Sequence, residues 1–348
     1  EAILLRKLGH DVAIFSSYFV KGSNELAPID DMIEGVMIKR FAAKKLGGES
    51  FISWNFKHEA IAFKPDIIIA HAYRHIHTTK AIKLAKITKA KVFLVTHAPF
   101  IKGNETRSFF GSIAVFLYDN LIARGTLNDF NKVIAITNWE KKYLKKLGIK
   151  ENKIEYVPNG VPPIFFKKKA EKEQNKMLFF GRISPIKNLE VLIKALPLIK
   201  DKKIKLEIVG PAEANYMQNL KNLIEEIGVS DRVKFAGAVY DLDERIKTID
   251  RCRVFILPSK SEAMPQGLIE AMSRGKIVIA SSCEGTQDII ADGKNGFLFE
   301  NNNEEDLARK IDYALSNNLK EIKVNAKKSV NKFNWDNVIA ELNRIITN

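Results

Sequence analysis

Leu257-Pro-Ser-Lys-Ser-Glu-Ala-Met-Pro-Gln-Gly-Leu-Ile-Glu-Ala-Met272 passes from the end of a strand, through a short loop, into a helix. The strand, Arg253–Leu257, has no apolar/polar alternation, as a sheet covered on both faces requires. Proline is favoured in a first helical turn, where its missing N–H costs nothing, so the helix is expected to start near Pro265. The free N–H groups of Met264 to Leu268 then point out of the helix start and, with the helix dipole, make a ready anion site. Glu262 precedes the helix and Glu270 lies one to two turns inside it, so the two carboxylates can serve opposite ends of one elongated ligand. Either acid alone reads as a dipole-favoured or solvated side chain. Loop, proline, apolar flanks and both carboxylates together read as a binding site.

The same alternation of short β-branched runs and helical patterns extends in both directions, the signal of βαβ units and a parallel sheet. In the second half the expected strands are Lys176–Phe180, Lys205–Val209, Val233–Ala236, Arg253–Leu257 and Ile277–Ser281. In the first half they are Asp11–Ser16, Asp66–Ala70, Lys91–Thr96, Lys132–Ile136 and Ile154–Val157, with helices over Thr78–Ile87 and Asn138–Leu147. Between the halves, Pro158-Asn-Gly-Val-Pro-Pro163 and the charged run Lys167–Lys176 read as a linker. The expected fold is α/β: two doubly wound parallel-sheet domains, residues 1–165 and 166–333, facing each other across a cleft. Trp335, Val338, Ile339, Leu342 and Ile345 recur at helical spacing, so residues 334–348 are expected to form a helix that packs back on the first domain.

The segment from Pro258 to Leu298 resembles the retaining glycosyltransferases of GT-B architecture known as family 4, whose donor motif is two glutamates with seven residues between. Glu262 and Glu270 fit it, as do Pro258-Ser259, Glu270-Ala-Met-Ser-Arg-Gly275, Ile277-Val-Ile-Ala280 and Asp292-Gly-Lys-Asn-Gly-Phe-Leu298. A second motif, Phe180-Gly-Arg-Ile-Ser-Pro-Ile-Lys-Asn188, follows the strand that opens the second half. Gly181 allows close backbone approach. Arg182 and Lys187 are two cations on one loop, suited to the charge that grows on a departing nucleoside diphosphate. The resemblance implies that these two grip the donor phosphates, that Glu262 binds the sugar hydroxyls, and that Glu270 binds the ribose. Met264, Pro265, Gln266, Gly267 and Leu268 complete the donor loop, and the Val209-Gly-Pro-Ala-Glu213 loop and Val239 flank the nucleobase.

In the first half, Phe93-Leu-Val-Thr-His97 ends a strand where the family places a histidine facing the transferred sugar, and His97 matches. His71, His75 and His77 cluster after another strand without a carboxylate or cysteine to complete a zinc set. Arg74 and His75 are therefore expected on the acceptor side. Asn159 belongs to the Asn-Gly-Val turn at the domain junction. The family's glycine-rich loop after a first strand would precede Glu1, so both are expected to be missing from this chain. Ala263-Met-Pro-Gln-Gly267 departs from the commoner Gly-Phe-Gly version, which puts base and sugar preference in doubt. Asp241-Leu-Asp243 resembles a metal-binding pattern but begins a helix, where it reads as a cap, so no metal or other cofactor is expected.

A chain of 348 residues, 46% hydrophobic and 28% charged, has room for two ordinary cores. No apolar run approaches the ~20 residues of a bilayer span, and the start lacks signal-peptide anatomy. Cys252 and Cys283 read as free thiols in a reducing cytosol. The net charge of +15 comes from scattered lysines without the aromatic interleaving of an RNA-binding surface, so nucleic acid is not an expected partner. The expected activity is metal-independent transfer, with retention, from a nucleotide-diphosphate sugar to a glycan or lipid-linked acceptor. It would take place in the cytoplasm, with peripheral attachment to an anionic inner membrane face as a further expectation. Two rival readings are a nucleotide-sugar epimerase or phosphorylase of the same fold, and a non-catalytic basic protein that binds membrane or nucleic acid.

Overall fold

The computed structural model describes residues 1–20, 25–45, 52–100, 113, 115–167 and 171–348, so Lys168 and Lys169 of the charged run lie outside the described residues. The chain divides into two compact units. The first comprises the described residues of Glu1–Phe100, Glu105–Pro158 and Asn337–Asn348, and the second those of Asn159–Asp336.

In the first unit, β1 (Ala13–Ser17), β2 (Asp30–Ile33) and β3 (Val36–Phe41) form one sheet, with β3 in the middle, parallel to β1 and antiparallel to β2. The hairpin joining β2 to β3 turns on Glu34 and Gly35, both at positive φ (47° and 80°), the two-residue turn whose twist matches that of the strands. β4 (Ala43–Lys45) and β5 (Ile52–Trp54) pair antiparallel. These antiparallel additions to the parallel pattern were not foreseen. Their strands are short and mostly half-exposed, so they lack the continuous apolar runs that mark buried strands. β6 (Ile67–His71), β7 (Lys91–Val95), β8 (Lys132–Ala135) and β9 (Ile154–Tyr156) form a parallel sheet in that order. Leu94, Val133 and Ala135 are fully buried at its centre, against Ala81 and Ala85 of helix Ile76–Thr88 and Leu144 of helix Glu140–Lys146. Each buried leucine of this kind contributes roughly 1.5–3 kcal/mol. Helix Trp335–Thr347 buries Val338, Ile339, Leu342, Ile345 and Ile346, and His10 Nε2 donates to Asn343 Oδ1 at 2.6 Å within the first unit.

The second unit holds β10 (Lys176–Phe180), β11 (Lys205–Val209), β12 (Val233–Phe235), β13 (Val254–Leu257), β14 (Ile277–Ser281) and β15 (Phe297–Phe299). They form one parallel sheet in the order β12-β11-β10-β13-β14-β15. Every residue of β13 and β14 is buried, which explains their unbroken apolar sequences. The chain moves outward from β10 to β12, then returns to place β13 on the other side of β10. The connections leaving β10 and β13 therefore diverge at a switch point, where open α/β sheets bind ligands. The chain joins this unit from Asn159 onward: Val161 N–H donates to Phe333 O at 2.7 Å, and Phe165 is fully buried. Both cysteines are free, Cys252 deeply buried. No described helix is long and apolar enough to cross a membrane.

Candidate active site

At the carboxyl end of β10 the chain turns through Gly181 and Arg182, then a short 3-10 turn, Pro185–Lys187, delivers Lys187. Gly210, at the end of β11, lies against this turn at φ +148°; a Cβ there would sit 1.9 Å from the Gly181 carbonyl oxygen. Only a glycine allows that contact. From the β13 side comes the loop carrying Glu262. Lys187 Nζ is 2.6 Å from Glu262 Oε1, and the two side chains are 19% and 9% exposed. Ser259 Oγ donates to the same oxygen at 2.5 Å, and Ser281 donates to the Ser259 carbonyl, so the acid is fixed from β14 as well. Arg182 is exposed and forms no ion pair among the described residues.

These groups line one pocket of about 310 Å³. Its floor is the start of helix Gln266–Ser273, with Met264, Pro265, Gln266, Gly267 and Leu268 all at the wall. Pro265 stands at the cap with extended backbone (φ −75°, ψ 96°), one position before the first helical turn where the sequence placed it. No side chain caps this end, so its N–H groups remain available to an anion. The far wall is Gly210, Pro211, Val239 and Tyr240, the loops expected beside a base. One turn into the helix, Glu270 is buried, and burial pushes its carboxyl up to about 7 against the opposing pull of Arg245. Arg245 Nη2 approaches Glu270 Oε2 to 2.7 Å but off the N–H axis, so the oxygen has charge contact without a well-directed hydrogen bond. Arg245 also lines the pocket, and the sequence reading missed it: inside an ordinary amphipathic helix it carries no local signal. Asp241 caps that helix, Leu242–Asp250, by accepting from Glu244 N–H at 2.9 Å. Asn159, expected on the acceptor side, donates its backbone N–H to Met264 Sδ at 3.2 Å, beside the start of the pocket helix.

In the first unit, His97 follows β7 with φ +59°, and Ala98 with φ +51°. This rare backbone is held by Glu140, a fully buried carboxylate that accepts from Thr96 Oγ1 (2.6 Å), Ile136 N–H (2.9 Å), Thr137 N–H (3.2 Å) and Ala98 N–H. Burial raises the Glu140 pKa and the hydrogen bonds oppose it. His97 Nε2 and His71 Nδ1 share a hydrogen bond at 3.0 Å, and burial, then His71, lowers the His97 pKa, which favours the neutral imidazole. His77 Nε2 donates to the His71 carbonyl at 2.6 Å, and His75 begins helix Ile76–Thr88 with its ring 5.2 Å from that of His77. Arg74 has partners of its own. Its guanidinium forks onto Asp119 at 2.9 and 2.5 Å and donates to the Pro99 carbonyl at 2.9 Å. Tyr73 OH donates to the same aspartate at 2.7 Å, so Arg74 braces a loop rather than standing open to a ligand. Asp119 and Glu140 had no signal in the sequence beyond being acids beside apolar runs.

Two family models divide the chain almost completely: Glycosyltransferase Family 4 matches residues 2–164, and Glycosyl transferases group 1 matches residues 161–332. An uncharacterized glycosyltransferase of Methanocaldococcus jannaschii, MJ1069, is 28% identical over 80% of this chain and 74% of its own length. The N,N'-diacetylbacillosaminyl-diphospho-undecaprenol alpha-1,3-N-acetylgalactosaminyltransferase of Campylobacter jejuni is 24% identical over 61% of this chain and 58% of its own. Across the first four curated relatives the matched stretch spans 52% to 74% of the relative. Among solved structures, Anabaena HepE (Alr3699) in complex with UDP and glucose is similar in fold over 97% of this chain and 100% of its own, with a TM-score of 0.73 and 19% identity. With both of its halves matched and its strands wound as the motifs require, the chain belongs to the group 1, family 4 glycosyltransferases, enzymes of the GT-B fold.

Proposed function

We propose that this glycosyltransferase takes its sugar from a nucleoside-diphosphate donor bound at the switch point of the second unit. The observation that carries the reading is one pocket walled by Arg182, Lys187, Glu262 and an uncapped helix start. When the bond between the anomeric carbon and the phosphate oxygen breaks, both electrons stay with the diphosphate. Arg182, Lys187 and the helix N–H groups receive that charge without reorganising. Glu262, held by Lys187 and Ser259, accepts from the sugar hydroxyls, and Glu270 accepts from the ribose. His97, favoured in its neutral form, orients the sugar or acceptor, as the resemblance implies. Transfer proceeds with retention through an oxocarbenium-like state and draws on no metal: Asp241 serves as a helix cap. Arg74 and Asn159 act by holding their loops, and His75 borders the acceptor.

The acceptor is a glycan or a lipid-linked glycan; the Campylobacter jejuni relative is named for a diphospho-undecaprenol acceptor. Peripheral attachment to an anionic membrane face fits the net charge of +15 and the exposure of Phe116, Leu117 and Leu121 in one stretch of the first unit. Sedimentation with liposomes of anionic or neutral lipid tests the attachment, and equal sedimentation with both would remove it. For the donor, thermal shift against UDP-, GDP- and ADP-sugars, followed by anomeric NMR of the product, tests the whole reading. Stabilisation by one nucleotide series, lost in Arg182→Ala and Lys187→Ala, is expected. Stabilisation by none of them would end it.

A further inference from the structure

Arg245 has no part in the reaction just described, yet it stands at the nucleoside end of the donor pocket, on the helix that follows Val239 and Tyr240. Its guanidinium carbon lies 5.0 Å from the Phe180 ring centroid, so a cation–π contact restrains the planar fork. Its Nη2 is 2.7 Å from Glu270 Oε2, with the two side chains 26% and 5% exposed. Three buried polar atoms here have no hydrogen-bond partner among the described residues: Arg245 Nε, Glu270 Oε2 and Gln266 Nε2. Gln266 and Glu270 are four residues apart on one helix and share a face. Buried polar groups are ordinarily paired, so three orphans at one end of a pocket mark the place of a polar ligand group.

We propose that Arg245 is a positioning residue for the donor's ribose: it keeps the Glu270 side chain turned so that its oxygens accept from the ribose hydroxyls. The inference rests on the assignment of Glu270 to the ribose made above. A carboxylate can accept from two neighbouring hydroxyls, whereas a protonated carboxyl has one acceptor fewer. Burial pushes the Glu270 carboxyl up to about 7 even with the guanidinium beside it, so the role of Arg245 rests on the contact geometry. Because the Arg245 contact is off-axis, the lone pairs of Oε2 stay open to the ligand.

The test is calorimetric titration of the wild type, Arg245→Met, Arg245→Lys and Glu270→Gln with UDP, GDP and ADP and with their 2′-deoxy and 3′-deoxy forms. The wild type should prefer the ribonucleotide by roughly tenfold, the weight of one hydrogen bond to a charged group. In Arg245→Met that preference should collapse toward one, as in Glu270→Gln, and Arg245→Lys should lie between. If Arg245→Met does not fold, as judged by thermal unfolding, the lysine variant decides: a full wild-type ratio overturns the proposal. Equal losses for ribo- and deoxynucleotides overturn it too, since they would mean direct contact with base or phosphate. If none of the three diphosphates binds the wild type, the donor reading falls and this inference with it. Binding with an unchanged ratio in Arg245→Met sinks only the role of Arg245.

Discussion

The two units turn strand ends into functional loops by different means. In the second, the sharp backbone falls on residues suited to it: Gly210 at φ +148°, Gly237 at +74° and Asn188 at +52°. In the first, Ala72, Arg74, His97 and Ala98 all have φ between 51° and 72°, and none is glycine. A non-glycine residue there costs roughly 1–2 kcal/mol, and such strain persists only where surrounding contacts over-determine it. Those contacts are visible: Glu140 under Ala98, Asp119 on Arg74, and Thr78 Oγ1 donating to the Ala72 carbonyl at 2.7 Å. A glycine loop is fixed by shape. A strained loop is fixed by its clamps, and removing one clamp should release it.

The largest effect that would sharpen this contrast is on chemistry in the second unit. Lys187→Ala should lower kcat by about 10²–10³ while leaving the fold intact, read by steady-state kinetics beside thermal unfolding. Next, Glu140→Ala should cost about 3 kcal/mol in chemical denaturation, because it strands several buried donors at once. It should also lower kcat, since His97 loses its support; unchanged stability would break the idea of a clamped loop. Gly210→Ala should cost about 2 kcal/mol, since its methyl meets a backbone carbonyl that has no room to move.

A smaller effect is a dependence on pH. The Glu270 carboxyl sits at about 7 in the folded chain against 4.5 as its ordinary value, so between those values the folded state holds a proton that the unfolded state lacks. Its contribution to stability is full below pH 4.5 and is lost as pH rises through 7, by about 1–2 kcal/mol after allowance for relaxation. Glu270→Gln should flatten that part of the stability–pH curve; an identical slope in both proteins would mean the carboxyl titrates normally. The smallest effect is Ala72→Gly, which should raise stability by about 0.5 kcal/mol by relieving a left-handed alanine. Its sign is opposite to that of Gly210→Ala, and two effects of the same sign would erase the distinction.

Legibility in the sequence follows the same divide. β10, β11 and β14 read correctly to the residue because mostly buried parallel strands leave a strong apolar record, which in β11 survives the interruption at Glu207. The residues that line the pocket of the second unit were legible because a strand end, a loop and a helix start lie together in the chain. β2, β4 and β5 were missed because they are short and half-exposed or exposed, and β3 and β15 were missed as well. Arg245, Asp119 and Glu140 were missed for another reason. Each acts on a residue 25 or more positions away, on Glu270, Arg74 and Thr96 respectively, and no local pattern records such a partnership. For Arg74 the charge is visible in the sequence, and the aspartate that pairs with it is not.

The order of synthesis follows from where the chain changes units. The described residues of the second unit all fall within Asn159–Asp336, whereas the first unit lies on both sides of that stretch and regains the chain at Asn337. A ribosome therefore begins the first unit early but delivers its last helix, with Val338, Leu342 and Ile345, only after the whole intervening domain has emerged. Until then the apolar surface meant for those side chains is uncovered, and the nascent first unit must wait, unfinished, for the second to be made.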